Sequence, residues 1–483
     1  MELEEYATFD GLGLADLVAK GEVTPLELAQ TSARAIERVN SEVNAVVEVY
    51  QDRISGFDDK ALSKGPFYGV PFITKDGDVV EKGRKIEFGS RLCKGMTSQI
   101  DSYTVENLRA AGFNFIGRSN VPEFSRAVST ENSLYGNTST PWRKGYSAGG
   151  STGGGMAAVV SGIVPIAQGS DLAGSIRIPA SWCGGVGLRV SRGRVSAGPA
   201  FAEPINGYAA VFAQTKTIRD TAAMLDCMSK PMPGDPFVIP KPEISYLEGI
   251  SGKQTKLKIG YTKSYANGLA TDSEVAGALE NTAYKLADAG HEVFEMPVEL
   301  PWEDIAKNMC TLFGFGFDII LEGCASATGR SISPETVDPI TLLSYEDAKT
   351  IDSAAYMKAN AFFNYERRRI ANQISSCDVW LTPTTAHPAL PHGRYNLDAN
   401  GKTLVEWLID MGEATQYTFP HNIMGTPAIS LPLAMHSSGL PIGIQLAAGP
   451  ANEHLLLGLA AYLEKEMPWI NRTPPLHVSK INS

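Results

Sequence analysis

The chain has 483 residues, 43% of them hydrophobic and 20% charged, which is enough apolar material for a large globular core. Its net charge of −11 argues against non-specific binding to nucleic acid or an anionic membrane, both of which want a basic surface. Six scattered cysteines with no Cys-x-x-Cys pair indicate neither a zinc site nor a disulfide framework. The acidic start MELEEYATFDGLG has no apolar signal region, and no apolar run reaches ~18 residues. A cytoplasmic protein with no membrane span is the expectation.

In chain order, Thr24-Pro25-Leu26-Glu27 predicts a helix start, with Thr24 as cap, Pro25 at the first helical position and Glu27 closing a capping box. That helix is expected to run to about Val39. GVPFITKD, 69–76, predicts a short buried strand ending in charge. Residues 104–120 read as an amphipathic helix, a stop at Gly112 and a strand through Phe115 and Ile116; the pattern returns at 273–296. LKIGYT (257–262) and DVWLTPTT (378–385) predict further strands, and the Pro- and Gly-rich stretch 231–249 a long connection. Residues 300–375 predict a helical cap or insertion. No fixed-period repeat is visible. Alternating helices and strands point to a layered α/β fold.

One stretch departs from this alternation. YSAGGSTGGGMAAVV, 146–160, crowds five glycines around Ser151-Thr152 and runs straight into apolar residues, unlike a Gly/Ser linker. A second glycine-flanked serine, Ser175, follows 24 residues after Ser151. A helix of ~10 residues spans about 15 Å and a strand of ~5 residues about 16 Å, so a helix out and a strand back brings the two serines together. A serine hydroxyl needs a base. None of the seven histidines (291, 387, 392, 421, 436, 454 and 477) is near in sequence, though any is free to approach in space. Lys75, at the end of an apolar strand, is the other base; burial there disfavours its ammonium form. Read alone, it is better taken as an ordinary strand-end lysine.

The run GGSTGGGMAAVVSGIVPIAQGSDLAGSIRIPASWCGGVGL resembles the signature of the amidase signature family. GVPFITKD is similar to that family's lysine strand, GRSNVPEF to its Gly-Lys-Thr-Asn block, and 422–446 to its C-terminal block. The resemblance spans nearly the whole chain. It implies an α/β/α fold with a large mixed sheet covered by helices on both faces, as a single domain over 1–483 with its signature core at about 65–225 and the cap at about 300–375. It also implies a Ser-Ser-Lys triad: Ser175 as acyl nucleophile, Ser151 as bridge after a cis peptide with Gly150, and Lys75 as base. The amides of Leu172, Ala173, Gly174 and Ser175 would form an oxyanion hole. Asp171 and Arg177 match positions that buttress the loop, and Ser170 a hydroxyl bonded to the triad. Phe201, Tyr208, Cys310 and Phe313 are the expected pocket wall, although aromatic residues at such spacing also serve as plain core. Two departures bear on substrate shape: Thr152 replaces a usual serine and Ala173 a usual glycine.

The resemblance implies an amidohydrolase without metal or cofactor. Its wording is nearest the branch that hydrolyses 6-aminohexanoate cyclic dimers. The expected substrate is a small, mainly uncharged amide, linear, cyclic or aryl, or a carbamate, with no nucleic-acid or membrane partner and a homodimer left open. Ile178, at a position that is polar in the tRNA-amidating glutaminase branch, disfavours that branch. The alternatives are a urethane or ester hydrolase and a catalytically silent binding subunit. A phosphate loop is disfavoured because GGSTGGG lacks the Gly-Lys-Ser/Thr ending.

Overall fold

Adjacent apolar residues on the strands serve opposite sides of one sheet. In the computed structural model, which describes residues 1–55, 58–252, 255–265 and 268–481, Phe72, Phe115 and Ile166 join one core, while Ile73, Ile116 and Ala167 join another. Strand side chains alternate between faces, so each strand supplies both cores and each face is covered by helices. Helices Gly11–Lys20, Ile218–Met228 and Glu453–Glu466 pack on the first; Pro25–Val43 and Gly153–Val160 pack on the second.

The strands are β1 (Val46–Val49), β2 (Pro71–Lys75), β3 (Asn114–Ser119), β4 (Ile166–Asp171), β5 (Val186–Arg189), β6 (Ala210–Thr215), β7 (Lys258–Tyr261), β8 (Glu292–Glu295), β9 (Val379–Pro383), β10 (Ala428–Met435) and β11 (Pro441–Ala448). They form one eleven-stranded sheet in the order β1-β3-β2-β4-β6-β5-β10-β11-β9-β7-β8. The sheet is mixed, parallel at β3-β2-β4 and β9-β7-β8 and antiparallel elsewhere. The layered α/β/α architecture expected from the sequence is the one observed.

Local signals set the element ends. The Thr24 capping box forms in both directions, and its helix runs to Val43, past the expected end. The glycine-rich stretch becomes helix Gly153–Val160, and β4 brings the chain back beside β2. Because β2 and β4 are parallel neighbours, their C-terminal ends share one edge. Crevices outside such ends are where open α/β sheets bind ligands.

Helices Trp302–Gly314, Phe317–Thr328, Pro339–Ala348 and Ser353–Gln373 fill the region expected to be helical. By length and composition alone, Trp302–Thr328 reaches what a membrane crossing needs, which the sequence patterns did not single out. Gly316, at φ +81°, breaks it into two shorter helices.

Glu123, in the GRSNVPEF block, ties the signature half to these helices. It accepts from Ser90 Oγ at 2.6 Å and from the Asp338 amide, at the start of Pro339–Ala348, at 2.8 Å. Burial and the facing Asp338 carboxylate push its carboxyl up to about 7, against those hydrogen bonds. The folded value exceeds the ordinary 4.5, so the folded chain holds the extra proton. Its stabilising contribution is complete below the unfolded value and is lost as pH rises through the folded one. Urea unfolding of wild type and Glu123→Gln at pH 5 and pH 7.5 tests this: the wild type is expected to lose stability relative to the variant on going to the higher pH. Parallel pH trends would refute it.

Candidate active site

Lys75 ends β2 with its side chain fully enclosed. Its Nζ lies 2.9 Å from Ser151 Oγ, 2.6 Å from Ser170 Oγ and 3.1 Å from Asp78 Oδ2. Ser170 Oγ in turn donates to Asp78 Oδ2. The register of β2 on β4 places Lys75 level with the end of β4, and its own amide is held by Gln168 Oε1 at 2.9 Å. Burial would raise the Asp78 carboxyl, but the Lys75 charge and the Ser170 hydroxyl outweigh it and hold the carboxyl below its ordinary range.

The Gly150–Ser151 peptide is cis. Gly150 has no room for a side chain: a Cβ would lie 2.7 Å from Ala127 O and 2.8 Å from Ser129 N. Thr152 N–H donates to the Ser175 carbonyl at 3.2 Å, so the two serine segments are bonded to one another. Ser151 and Ser175 are 1% and 8% exposed, the nucleophile candidate being the more accessible. Among the described residues no histidine hydrogen-bonds to either serine. His421, for example, is enclosed beside Trp380 and bonded to Thr426, with burial holding it well below the usual imidazole range.

The turn after β4 is organised by one buried ion pair. Arg177 donates to Asp171 through Nε at 2.9 Å and Nη2 at 2.8 Å. Its other donors go to Thr418 O and Gln445 Oε1, both at 2.8 Å, and Asn422 Oδ1 at 2.7 Å. Burial opposes the charge on Asp171, yet the Arg177 charge and hydrogen bonds, with Arg189 and Asn422, hold it well below the carboxylate range. The same carboxylate takes the amides of Gly174 at 2.8 Å and Ile176 at 3.3 Å. The Gly174 amide is therefore committed inward, whereas no turn or loop bond occupies the amides of Leu172, Ala173 or Ser175 among the described residues. Gly174 sits at φ +122°, where a Cβ would collide with Thr418. Ala173 is not at positive φ, so its methyl is accommodated without strain. Its carbonyl accepts from Thr418 Oγ1 at 2.6 Å.

With a buried lysine, a cis-linked serine and a second serine on a fixed turn in view, comparison with known proteins gives the family. The family model described as Amidase matches residues 27–457. The chain belongs to the amidase signature family. It is an amidase, a hydrolase of carbon–nitrogen bonds. A 6-aminohexanoate-cyclic-dimer hydrolase of Paenarthrobacter ureafaciens is 35% identical over 97% of this chain and 96% of its own. An acylamidase of Rhodococcus erythropolis is 30% identical over 95% and 96%. The solved structure of a 6-aminohexanoate cyclic dimer hydrolase superposes with a TM-score of 0.89 at 32% identity, covering 97% of this chain and 99% of that one. The same hydrolase complexed with substrate gives 0.88.

Around the amidase centre, the expected pocket residues divide. Tyr208 and Phe313 meet edge to face at 6.2 Å, Phe313 meets Phe419 at 6.0 Å, and Leu172 and Ala173 pack into the same cluster. Cys310, on the helix carrying Phe313, points its Sγ to Asp347 Oδ2 at 3.8 Å, and burial with that carboxylate pushes the thiol up to about 12. Phe201 is 57% exposed and is not brought to this cluster. Thr152 is buried, its Oγ1 donating to Ser170 O at 3.3 Å, so it braces β4 and faces no cleft.

Sequence reasoning missed Asp78, Thr418, Asn422 and Gln445. Only Asp78 left a signal, as a second acid three residues after Lys75 in KDGD. Losing one partner of a fully buried ion pair costs about 3–5 kcal/mol, so Arg177→Met is expected to lower stability by about that amount in urea unfolding. Asp78→Ala frees the amine to rotate. It is expected to lower kcat by about 10–100-fold with little change in KM, as small displacements of a catalytic group do. Unchanged kcat in steady-state assays would remove Asp78 from the machinery.

Proposed function

We propose that this amidase cleaves a small amide, linear, cyclic or aryl, through an acyl-enzyme on Ser175. The reading rests on the enclosed Lys75 Nζ lying 2.9 Å from Ser151 Oγ, with the residue after Ser151 bonded to Ser175. In its uncharged form Lys75 has one lone pair and two N–H groups. Donation to Asp78 and Ser170 uses both N–H groups and leaves the lone pair for the Ser151 hydroxyl proton. Ser151 then takes the proton of Ser175 as its oxygen attacks the amide carbonyl. The oxyanion develops against the amides of Leu172, Ala173 and Ser175, each such donor being worth about 2.7–4 kcal/mol in the barrier. On collapse the proton returns from Lys75 through Ser151 to the leaving nitrogen, and the amine departs. Water repeats the sequence on the ester, releasing the acid and Ser175.

The relatives favour an amide over a carbamate or ester, since their names describe a cyclic-dimer hydrolase and an acylamidase. Labelling with a fluorophosphonate probe tests the nucleophile: wild type is expected to be modified and Ser175→Ala not. Lys75→Ala is expected to keep its fold by circular dichroism and lose about 100-fold or more of its acylation rate. A panel of anilides, cyclic dimers and linear amides, read by mass spectrometry, identifies the substrate. Equal labelling of wild type and Ser175→Ala, or near-full turnover by Lys75→Ala, would overturn the mechanism.

A further inference from the structure

The acyl-transfer steps leave one cation beside the catalytic turn unused. Arg126 immediately precedes residues 127–129, whose backbone packs directly on Gly150, so it is anchored next to the Ser151 turn. Phe124 and Ser125 ahead of it sit at φ 51° and 57°, a left-handed pair that redirects the chain just before the arginine. The guanidinium lies 4.2 Å from the centroid of the Phe317 ring. Beyond that stacking its side chain forms no hydrogen bond or ion pair among the described residues, and its Nε is buried without a partner. Arginines buried more deeply differ: Arg118 holds Glu48 and Glu87, and Arg177 holds Asp171, Asn422, Gln445 and Thr418.

The groups facing Arg126 are Cys310 and Asp347. The thiol is neutral, and Asp347 stays beyond ion-pair reach of the guanidinium, its Oδ2 resting 3.8 Å from Cys310 Sγ. Burial draws the guanidinium down to about 10, as befits a cation short of counter-charge. Cys310 and Phe313 lie three residues apart on one helix and hence on one side of it. Phe313 joins the same hydrophobic cluster as Leu172 and Ala173 of the Ser175 turn. Arg126 therefore faces the helix that also joins the cluster beneath the Ser175 turn.

We propose that Arg126 recognises a carboxylate carried by the amide substrate, gripping it through the planar fork of N–H donors that the protein itself leaves unfilled. The inference rests on the amidohydrolase reading above and departs from the mainly uncharged substrate expected from the sequence. The substrate class is then amides of dicarboxylic acids or of amino acids, with the carboxylate on the acyl or the amine side.

Two matched pairs separate those sides: succinyl against butyryl p-nitroanilide, and N-butyryl-6-aminohexanoate against N-butyrylhexylamine. Wild type is expected to favour the carboxylate member of at least one pair by about tenfold or more in kcat/KM. Arg126→Gln is expected to lose that preference while the neutral member stays within about threefold, and Arg126→Lys to keep part of it, having charge without the fork. Preference for the neutral member in both pairs, or an equal loss on both members in Arg126→Gln, would overturn the proposal. Fluorophosphonate labelling of Ser175 in each variant reports an intact fold. If wild type neither labels nor turns over any of the four compounds, the hydrolase reading fails. Calorimetric titration with glutarate then decides Arg126 separately: binding lost in Arg126→Gln upholds it, and no binding to wild type overturns it.

Discussion

The ion pair between Arg177 and Asp171 is the constraint on which the catalytic edge depends. It lies wholly inside the protein, where two isolated charges would be costly. The cost is offset because the remaining hydrogen-bonding capacity of both groups is used. Asp171 takes two backbone amides of the turn, and Arg177 reaches three partners from the C-terminal third of the chain. One interaction thereby fixes the turn that carries Ser175 and fastens it to helix Phe419–Met424 and strand β11. It also sorts the amides of DLAGS: that of Gly174 satisfies the carboxylate, and those of Leu172, Ala173 and Ser175 are left without a partner among the described residues.

The second constraint is valence. A lysine Nζ with three oxygen neighbours within 3.1 Å has no freedom to choose its proton acceptor or donor. Asp78 accepts from both the amine and the Ser170 hydroxyl. Ser170, having given its own proton to Asp78, accepts only from the amine. Ser151 alone is able to exchange a proton with Nζ. In the mechanism proposed above, the direction of the relay follows from counting donors, with the Ser170 proton already committed to Asp78.

Most of the fold was legible in the sequence because its signals are local. The capping box at Thr24, the stop at Gly112 and the apolar run ending at Lys75 each fix an element within a few residues. Sheet order was not legible, since β9 lies between β11 and β7 through pairings that no local pattern encodes. Lys75, Ser151 and Ser175 stood out because glycine-rich serine motifs are contiguous and because the family pattern covers them. Thr418 and Gln445 did not, because they meet Arg177 across 241 and 268 residues and look like ordinary polar side chains. Arg126 reads in sequence as one more charged loop residue. Only packing shows that, among the described residues, none accepts a hydrogen bond from its guanidinium. Phe201 failed in the opposite sense: it is a large apolar residue near the signature, on a loop that leaves it in solvent.

The acidic surface and the chemistry inside the cleft are nearly independent. With a Debye length of about 8 Å at physiological ionic strength, charges spread over the exterior of a chain at −11 are largely screened from the reacting atoms. In the mechanism proposed above, attack by Ser175 creates a separated pair, an ammonium at Lys75 and an oxyanion at the turn. Each half already has its partner in place before the reaction: Asp78 for the ammonium, fixed amides for the oxyanion. In a water-poor site such prearranged dipoles and charges act strongly because they need no reorganisation as the charges appear. In the proposed cycle the proton taken from Ser175 leaves on the amine and water supplies the next one, so Lys75 returns to its starting state.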